Sequence, residues 1–446
     1  MLLNFTVKNY KSFANEMNFS MIASPKQNDL KYSLFEKKAS GRNYKIQCSS
    51  VVYGANASGK SNIIGAMDTL KAVVLRGNIK NIEKKNPNVA SSKLELIPNL
   101  NSPDGEPVEF TIEFIDDSLL FKYTLLLDLG CFLNKEHRRR IISEELYLNN
   151  KTVFKRDETI KLGEYKHLQK YLPFKQAEVE KMEEISNSSL DDEELFLTNG
   201  FKVIFSPEIV KKFTDWIEQR FVVMYRADSM ERVVSFSDTD KKGIYIDSTV
   251  NKAAKIFGVN SNSLGYINTD RNSNEVRLCS IFENVDGGKV ATMPAEMFES
   301  YGTVRFINLF PMILEAFANG ATLVVDEFDA SIHPLTLMNI INMFHNDSIN
   351  QNHAQLIFNT HNPVFLNSNL FRRDEIKFVQ RDNETGNSEL YSLADFGTSG
   401  KNGVRNSADY MKYYFDYKYG AIEDVDFTPI FENIVGNDDM ESVGGE

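Results

Sequence analysis

Leu3, Phe5 and Val7 alternate with polar neighbours, and after Asn9-Tyr-Lys-Ser-Phe13 a second short run covers Phe19 to Ile22, so the chain opens with strands. A further apolar run, Ile46 to Tyr53, reads as a strand that ends at Gly54. The period then changes. From Ser61 to Val74, Ile63, Ile64, Met67, Leu70 and Val74 share one helical face. Residues 77–107 are rich in Asn, Pro, Ser and Gly and read as a surface connection. Val108–Ile115, Leu119–Asp128 and Ile142–Tyr147 read as hairpin strands.

Residues 157–277 differ in character. Glu164–Ile185, broken at Pro173, and Pro207–Met224 read as charged helices, and Asp247–Phe257 as a short capped one. Asn/Ser/Asp-rich stretches, Ser186–Glu194 and Asn260–Asn274, surround them. From 278 an α/β pattern returns. Thr303–Asn319 predicts a helix with Pro311 inside it and Gly320 as its stop. Ala321–Val325 is a buried strand, Leu335–Phe344 a helix, and Ala354–Thr360 a strand. Ile376–Gln380 and Ser388–Leu393 close as a hairpin around Asn383–Gly386. The expected fold class is α/β: a head split into an N-terminal lobe (1–156) and a C-terminal lobe (278–425), around an inserted, mainly helical subdomain (157–277). Residues 426–446 read as a mobile acidic tail. There is no internal repeat and no sustained heptad seam, which excludes a long coiled-coil arm.

Composition narrows the class. With 446 residues, 42% hydrophobic and 25% charged, the chain can bury a full core and is not disordered as a whole. A net charge of −12 argues against a bulk nucleic-acid coat or a membrane-surface protein. Cys48, Cys131 and Cys279 lie too far apart for a disulfide framework or a paired-thiol metal site, so a reducing, cytoplasmic setting is expected. No run is long enough to span a membrane, and the N-terminus has no signal-peptide core.

The chemistry is concentrated at a few points. Gly54-Ala-Asn56-Ala-Ser58-Gly59-Lys60-Ser61 satisfies G-x-x-x-x-G-K-[ST] between a predicted strand and a predicted helix. Its glycines let backbone N–H groups wrap phosphates, with Asn56, Ser58 and Asn62 in the same nucleotide-binding stretch. Lys60 supplies a cation to the β/γ-phosphates and Ser61 a hydroxyl for Mg²⁺. Leu323-Val-Val-Asp326-Glu327 supplies the second element, with Asp326 on the metal and Glu327 polarising the attacking water. Ser300-Tyr301-Gly302 opens the long apolar helix, where N–H groups, a hydroxyl and the helix dipole favour a phosphate; an ordinary helix cap is the alternative. Asp329 follows Glu327. His361 ends a strand on the ligand edge of the sheet, where it can reach a γ-phosphate or the attacking water.

In that order, P-loop, signature, Walker B, D-loop and switch histidine resemble the ABC ATPase superfamily, and the Asn9–Phe13 strand with a short arm is similar to its SMC-like branch. ESYGTVRF, LVVDEFDASIHP, AQLIFNTH, LFRRDEIKFVQRD and KYGAI together resemble the RloA-type and OLD-like ATPases of bacterial restriction and phage-defence loci; the resemblance covers roughly 1–75 and 278–422. It implies a homodimer, or a higher even oligomer, with two shared ATP sites. Ser300 and Gly302 of one subunit then close on the γ-phosphate held by the other's Lys60, with Asp329 across the seam. It also implies a separate effector partner, such as a toprim-type nuclease, with DNA or a phage component as a further partner. The sequence departs from the transporter pattern at Tyr301, which replaces a small glycine, and Gln169, Gln176 and Gln219 are rival candidates for a Q-loop glutamine.

Other clusters carry less. Lys135–Arg140 is the densest basic run, readable as a phosphate grip or as a solvated loop, and Arg372-Arg373-Asp374 as a partner contact or an internal ion pair. No histidine has metal-ligand spacing. The chain after Ile422 is too short for a fused nuclease domain. The expectation is therefore an ATPase with ATP and Mg²⁺ as cofactors, Lys60, Glu327 and His361 as catalytic residues, and a defence role. An SMC-like DNA clamp and an ATP-locked scaffold are its rivals. An AAA+ ring motor fits less well, because Ser300–Gly302 precedes Asp326 and no sensor arginine is evident.

Overall fold

The structure is a computed structural model that describes residues 1–446 except 26, 28, 81–93, 103, 104, 133, 135, 226–243, 246, 247, 269–275, 284–289, 399–402, 406, 424, 425, 429, 430 and 432–446. Most of the predicted acidic tail, and part of the 77–107 connection, lie outside the described residues.

A six-stranded sheet carries the site. Its order is Phe221–Met224, Thr322–Val325, Gln355–Asn359, Ser49–Tyr53, Ile376–Arg381 and Ser388–Ser392. The first five run parallel and the last closes antiparallel as a hairpin. Both faces are covered, as a parallel sheet requires. The two-residue period therefore splits each strand between two cores: Val52, Val324, Ile357 and Val379 enter one, while Val51, Tyr53, Leu323, Val325, Leu356 and Phe358 enter the other. The first core is shared with a seven-stranded antiparallel sheet, ordered Ile160–Leu162, Lys151–Arg156, Arg140–Leu148, Leu119–Asp128, Val108–Asp116, Leu2–Lys8 and Met17–Ser20. The helix Lys60–Arg76 lies in that core through Ile63, Ile64, Met67, Leu70 and Val74. On the other side, the helices Tyr301–Asn319 and Pro334–Phe344 cover the sheet with Ile307, Ile313, Leu337 and Ile341.

The predicted break at Pro173 separates the helices Tyr165–Leu168 and Val179–Ser188. The helix expected over Pro207–Met224 stops earlier. Residues 207–220 are helical, but Phe221–Met224 is an extended edge strand paired in parallel with Thr322–Val325. The reason is local: Phe-Val-Val-Met is a β-branched, apolar run with no polar face to leave in water. The middle segment thus supplies helices around Leu195–Ile217 and also one strand of the site's own sheet. A separate antiparallel sheet, Ile244–Tyr245, Ser263–Asn268, Val276–Glu283 and Val290–Pro294, leads into the helix at Tyr301. The long helix runs through Pro311 unbroken. No helix among the described residues is long and apolar enough to cross a membrane.

Candidate functional site

Three neighbouring parallel strands end on one edge: Tyr53 leads into Gly54, Val325 into Asp326 and Asn359 into His361. This is the edge on which open α/β sheets bind ligands. The loop after Tyr53 needs its glycines. A Cβ on Gly54 would stand 2.5 Å from both Ser58 Oγ and the Val379 carbonyl, and Gly59 has φ +110 with Ser12 and Ser388 against it. Only glycine holds that backbone without strain. The loop is braced from outside by Ser388 Oγ, which donates to the Ser58 carbonyl at 2.6 Å, and by Asn62 Nδ2, which donates to Ser12 Oγ at 2.8 Å. Asn56 is exposed at the loop tip.

Lys60 folds back into the loop and donates to the carbonyls of Gly54 (2.8 Å) and Ala55 (2.7 Å). Burial pulls its pKa down to about 8, against the opposing attraction of Asp326 and Glu327. Ser61 Oγ donates to Asp326 Oδ1 at 2.9 Å, which joins the two motifs across 265 residues of chain. Asp326 is buried and the Glu327 side chain is exposed. Glu327 has φ +51, a left-handed conformation that costs a non-glycine residue about 1–2 kcal/mol. Its backbone is held on both sides: its N–H donates to Asn359 Oδ1 at 2.5 Å, and its carbonyl accepts from Arg305 Nη2 at 2.5 Å. Asn359 Nδ2 also donates to Asp326 Oδ1 at 2.5 Å.

His361 stands exposed past the neighbouring strand end. Partial desolvation, then the Lys60 charge, hold its pKa below the usual range, and Asp329 and Asp326 pull the other way. Burial, and after it the charge of Asp329, raises the pKa of Tyr53, whose hydroxyl donates to the Asn362 carbonyl, so Asp329 belongs to the same edge. Ser300 is exposed and caps its helix, accepting from Thr303 N–H at 3.1 Å, so within one chain it is an ordinary cap. Gly302 is pressed on the loop that follows Glu327, where a Cβ would stand 2.0 Å from the Ser331 carbonyl. Tyr301 is 57% exposed beside it.

The donor set fits a nucleotide phosphate with Mg²⁺. Ser58 Oγ is buried within the loop and has no hydrogen-bond partner among the described residues, and Ser61 with Asp326 offers a hydroxyl and a carboxylate, the hard oxygens Mg²⁺ takes while phosphates and water complete its shell. No cluster of three or more His, Cys, Asp or Glu side chains among the described residues could hold a metal ion.

Sequence reasoning did not assign Asn359, Arg305, Ser12 or Ser388. Asn359 could have been found as a polar residue ending an apolar strand just before His361; the other three are brought in only by tertiary contact. Some members of the secondary clusters make internal contacts, while Arg138 is exposed. Asp128 binds both His137 (2.7 Å) and Arg140 (2.8 Å), and Lys135 lies outside the described residues. Arg372 is buried against Asp374 at 2.9 Å, and Arg373 donates to the carbonyls of Leu393 and Gly397. Gln169, Gln176 and Gln219 are all exposed.

Residues 49–367 match the family described as "AAA domain, putative AbiEii toxin, Type IV TA system", and the chain belongs to that family. No curated protein matches the sequence. Among solved structures, the SMC head domain from Thermotoga maritima is similar at 12% identity over 88% of this chain and 98% of its own, with a TM-score of 0.34.

Proposed function

We propose that this chain binds Mg-ATP and hydrolyses it at sites completed by a second copy, and that it serves as the regulatory ATPase of an anti-phage defence system with a separate effector nuclease. The observation that carries the ATPase part is the Ser61–Asp326 hydrogen bond at 2.9 Å, with Lys60 in the loop above and Glu327 next in sequence. Family membership supports the same class.

In this reading the Lys60 ammonium leaves its two loop carbonyls for phosphate oxygens of the nucleotide. Ser61 and Asp326 would hold Mg²⁺, which when bound neutralises phosphate charge. Glu327, exposed at the strand end, orients the attacking water, and neutral His361 accepts or donates a hydrogen bond at the same edge. Dimerisation is supported by the exposure of Ser300 and Tyr301, with the apolar Met297 and Phe298 exposed next to them. The defence role is supported by the resemblance in the motifs and by a family description that speaks of a toxin–antitoxin system.

The experiment is ATP turnover and solution mass of the full-length chain, with and without Mg-ATP, for wild type, Glu327→Gln and Ser300→Arg. Turnover by wild type, ATP-dependent mass gain by Glu327→Gln, and loss of both in Ser300→Arg are expected. Normal turnover in Ser300→Arg, with no change of mass, would leave Ser300 a helix cap and overturn the shared-site reading.

A further inference from the structure

We propose that Asn359 and Arg305 are positioning residues that hold the Asp326–Glu327 pair in its working orientation: Asn359 clamps the two acids to each other, and Arg305 ties them to the helix that Ser300 opens. This inference rests on the ATPase reading above.

Asn359 ends the strand that runs beside Thr322–Val325. Phe358 is the register partner of Val325, so Asn359 falls next to Asp326. It is 1% exposed. Its amide does two jobs at once, donating from Nδ2 to Asp326 Oδ1 at 2.5 Å and accepting at Oδ1 from the Glu327 N–H at 2.5 Å. These partners assign the amide orientation, since a carboxylate only accepts and a backbone N–H only donates. A carboxylate at 359 keeps the acceptor half alone, and an alkyl group keeps neither. Ser61 donates to the same Asp326 oxygen, so that carboxylate is pinned from two elements.

Glu327 is the companion problem. An exposed side chain is aimed by its backbone, and this backbone is left-handed at φ +51. Asn359 takes its N–H; Arg305 and the Ala330 N–H take its carbonyl. Arg305 is buried in the helix Tyr301–Asn319, whose first residues carry the Ser300 cap and the Gly302–Ser331 contact. The start of that helix and the backbone of the acid are therefore bonded to each other, and both residues act through the acids.

The test uses full-length protein: wild type beside Asn359→Leu, Asn359→Ser, Asn359→Asp, Arg305→Met and Arg305→Lys. Steady-state turnover is measured against ATP and Mg²⁺, and affinity by equilibrium binding of a fluorescent ATP analogue. Misplaced catalytic groups cost about 100-fold in rate. Asn359→Leu is therefore expected to lower kcat by roughly that factor with affinity within about threefold of wild type. Asn359→Asp, which sets a second carboxylate against Asp326, should raise the Mg²⁺ needed for half-maximal turnover about tenfold. Arg305→Met should lower kcat without moving KM, and Arg305→Lys should restore part of it. A purely structural role would instead lower affinity and melting temperature together and spare kcat in the folded protein. The inference is overturned if Asn359→Leu, or Asn359→Ser should the leucine variant not fold, keeps kcat within threefold of an active wild type. A wild type without turnover overturns the ATPase reading, and this inference with it.

Discussion

Lys60 shows how one residue's surroundings set its chemistry. A buried ammonium with a pKa of about 8 keeps its charge at pH 7 and loses it as pH rises through that value. kcat/KM for ATP reports the free protein, so it should fall above about pH 8. kcat should not, because bound phosphate holds the proton on; a pH profile of both constants checks this. His345 makes the opposite demand, far from the site. It is 4% exposed, its Nε2 is 2.7 Å from Ser49 Oγ, and burial lowers its pKa from 6.5 to about 4. Its folded pKa is depressed, so the stability it contributes is present above 6.5 and is lost as pH falls towards 4. That lowering corresponds to about 3 kcal/mol. Nearby Glu375, raised by burial to about 8, works the other way, stabilising at low pH and losing that contribution as pH rises. The His345 effect is therefore read as a difference: the stability advantage of wild type over His345→Gln should shrink between pH 7.5 and pH 5 in urea titrations.

At the scale of elements, the helix Tyr301–Asn319 starts with two contacts that can be tested apart, the Ser300 cap and the approach of Gly302 to the Ser331 carbonyl. Loss of the Ser300 cap should cost about 1 kcal/mol of stability, read in denaturant melts of Ser300→Ala. If Ser300 also closes a partner's site, Ser300→Ala should lose ATP-dependent association beyond what that cost explains. Gly302→Ala tests the contact with the Ser331 carbonyl. Its methyl meets a backbone carbonyl rather than a flexible side chain, so the element itself must shift, and a loss of about 1–3 kcal/mol is expected in the same melts. Proline 311 is tolerated in this helix although it removes a backbone donor.

For the whole molecule, the site draws on both ends of the chain. Gly54–Ser61 comes from early in the chain, Asp326, Glu327 and His361 from late in it, and the Ser61–Asp326 bond joins them. A ligand that binds across that bridge stabilises the folded chain by mass action, by about 2.7 kcal/mol at a hundredfold excess over Kd. Mg-ATP should accordingly raise the melting temperature of wild type and leave that of Lys60→Ala unmoved, as scanning fluorimetry would read. An equal rise in Lys60→Ala would place the nucleotide elsewhere.

Much of this was legible in the chain itself. The α/β class, the glycine loop between strand and helix, and the paired acids ending an apolar strand are local patterns, because a phosphate loop and a buried strand each leave their signature within a few consecutive residues. The assignment of Phe221–Met224 to a helix failed because it adjoins a charged helical run, and only pairing with Thr322–Val325 decides it as a strand. Arg305, Ser12 and Ser388 stayed hidden for the same reason: each acts on a residue distant in sequence through a hydrogen bond or a close approach that no spacing records. Asn359 left one trace, a polar residue ending an apolar strand, but its two bonds to Asp326 and Glu327 are set by strand register alone. Sequence alone determined which chemical groups are present and at which strand ends they stand. Tertiary structure decided how those groups are held, because the register of neighbouring strands and the packing of one helix start fix the Asp326 carboxylate and the backbone of Glu327.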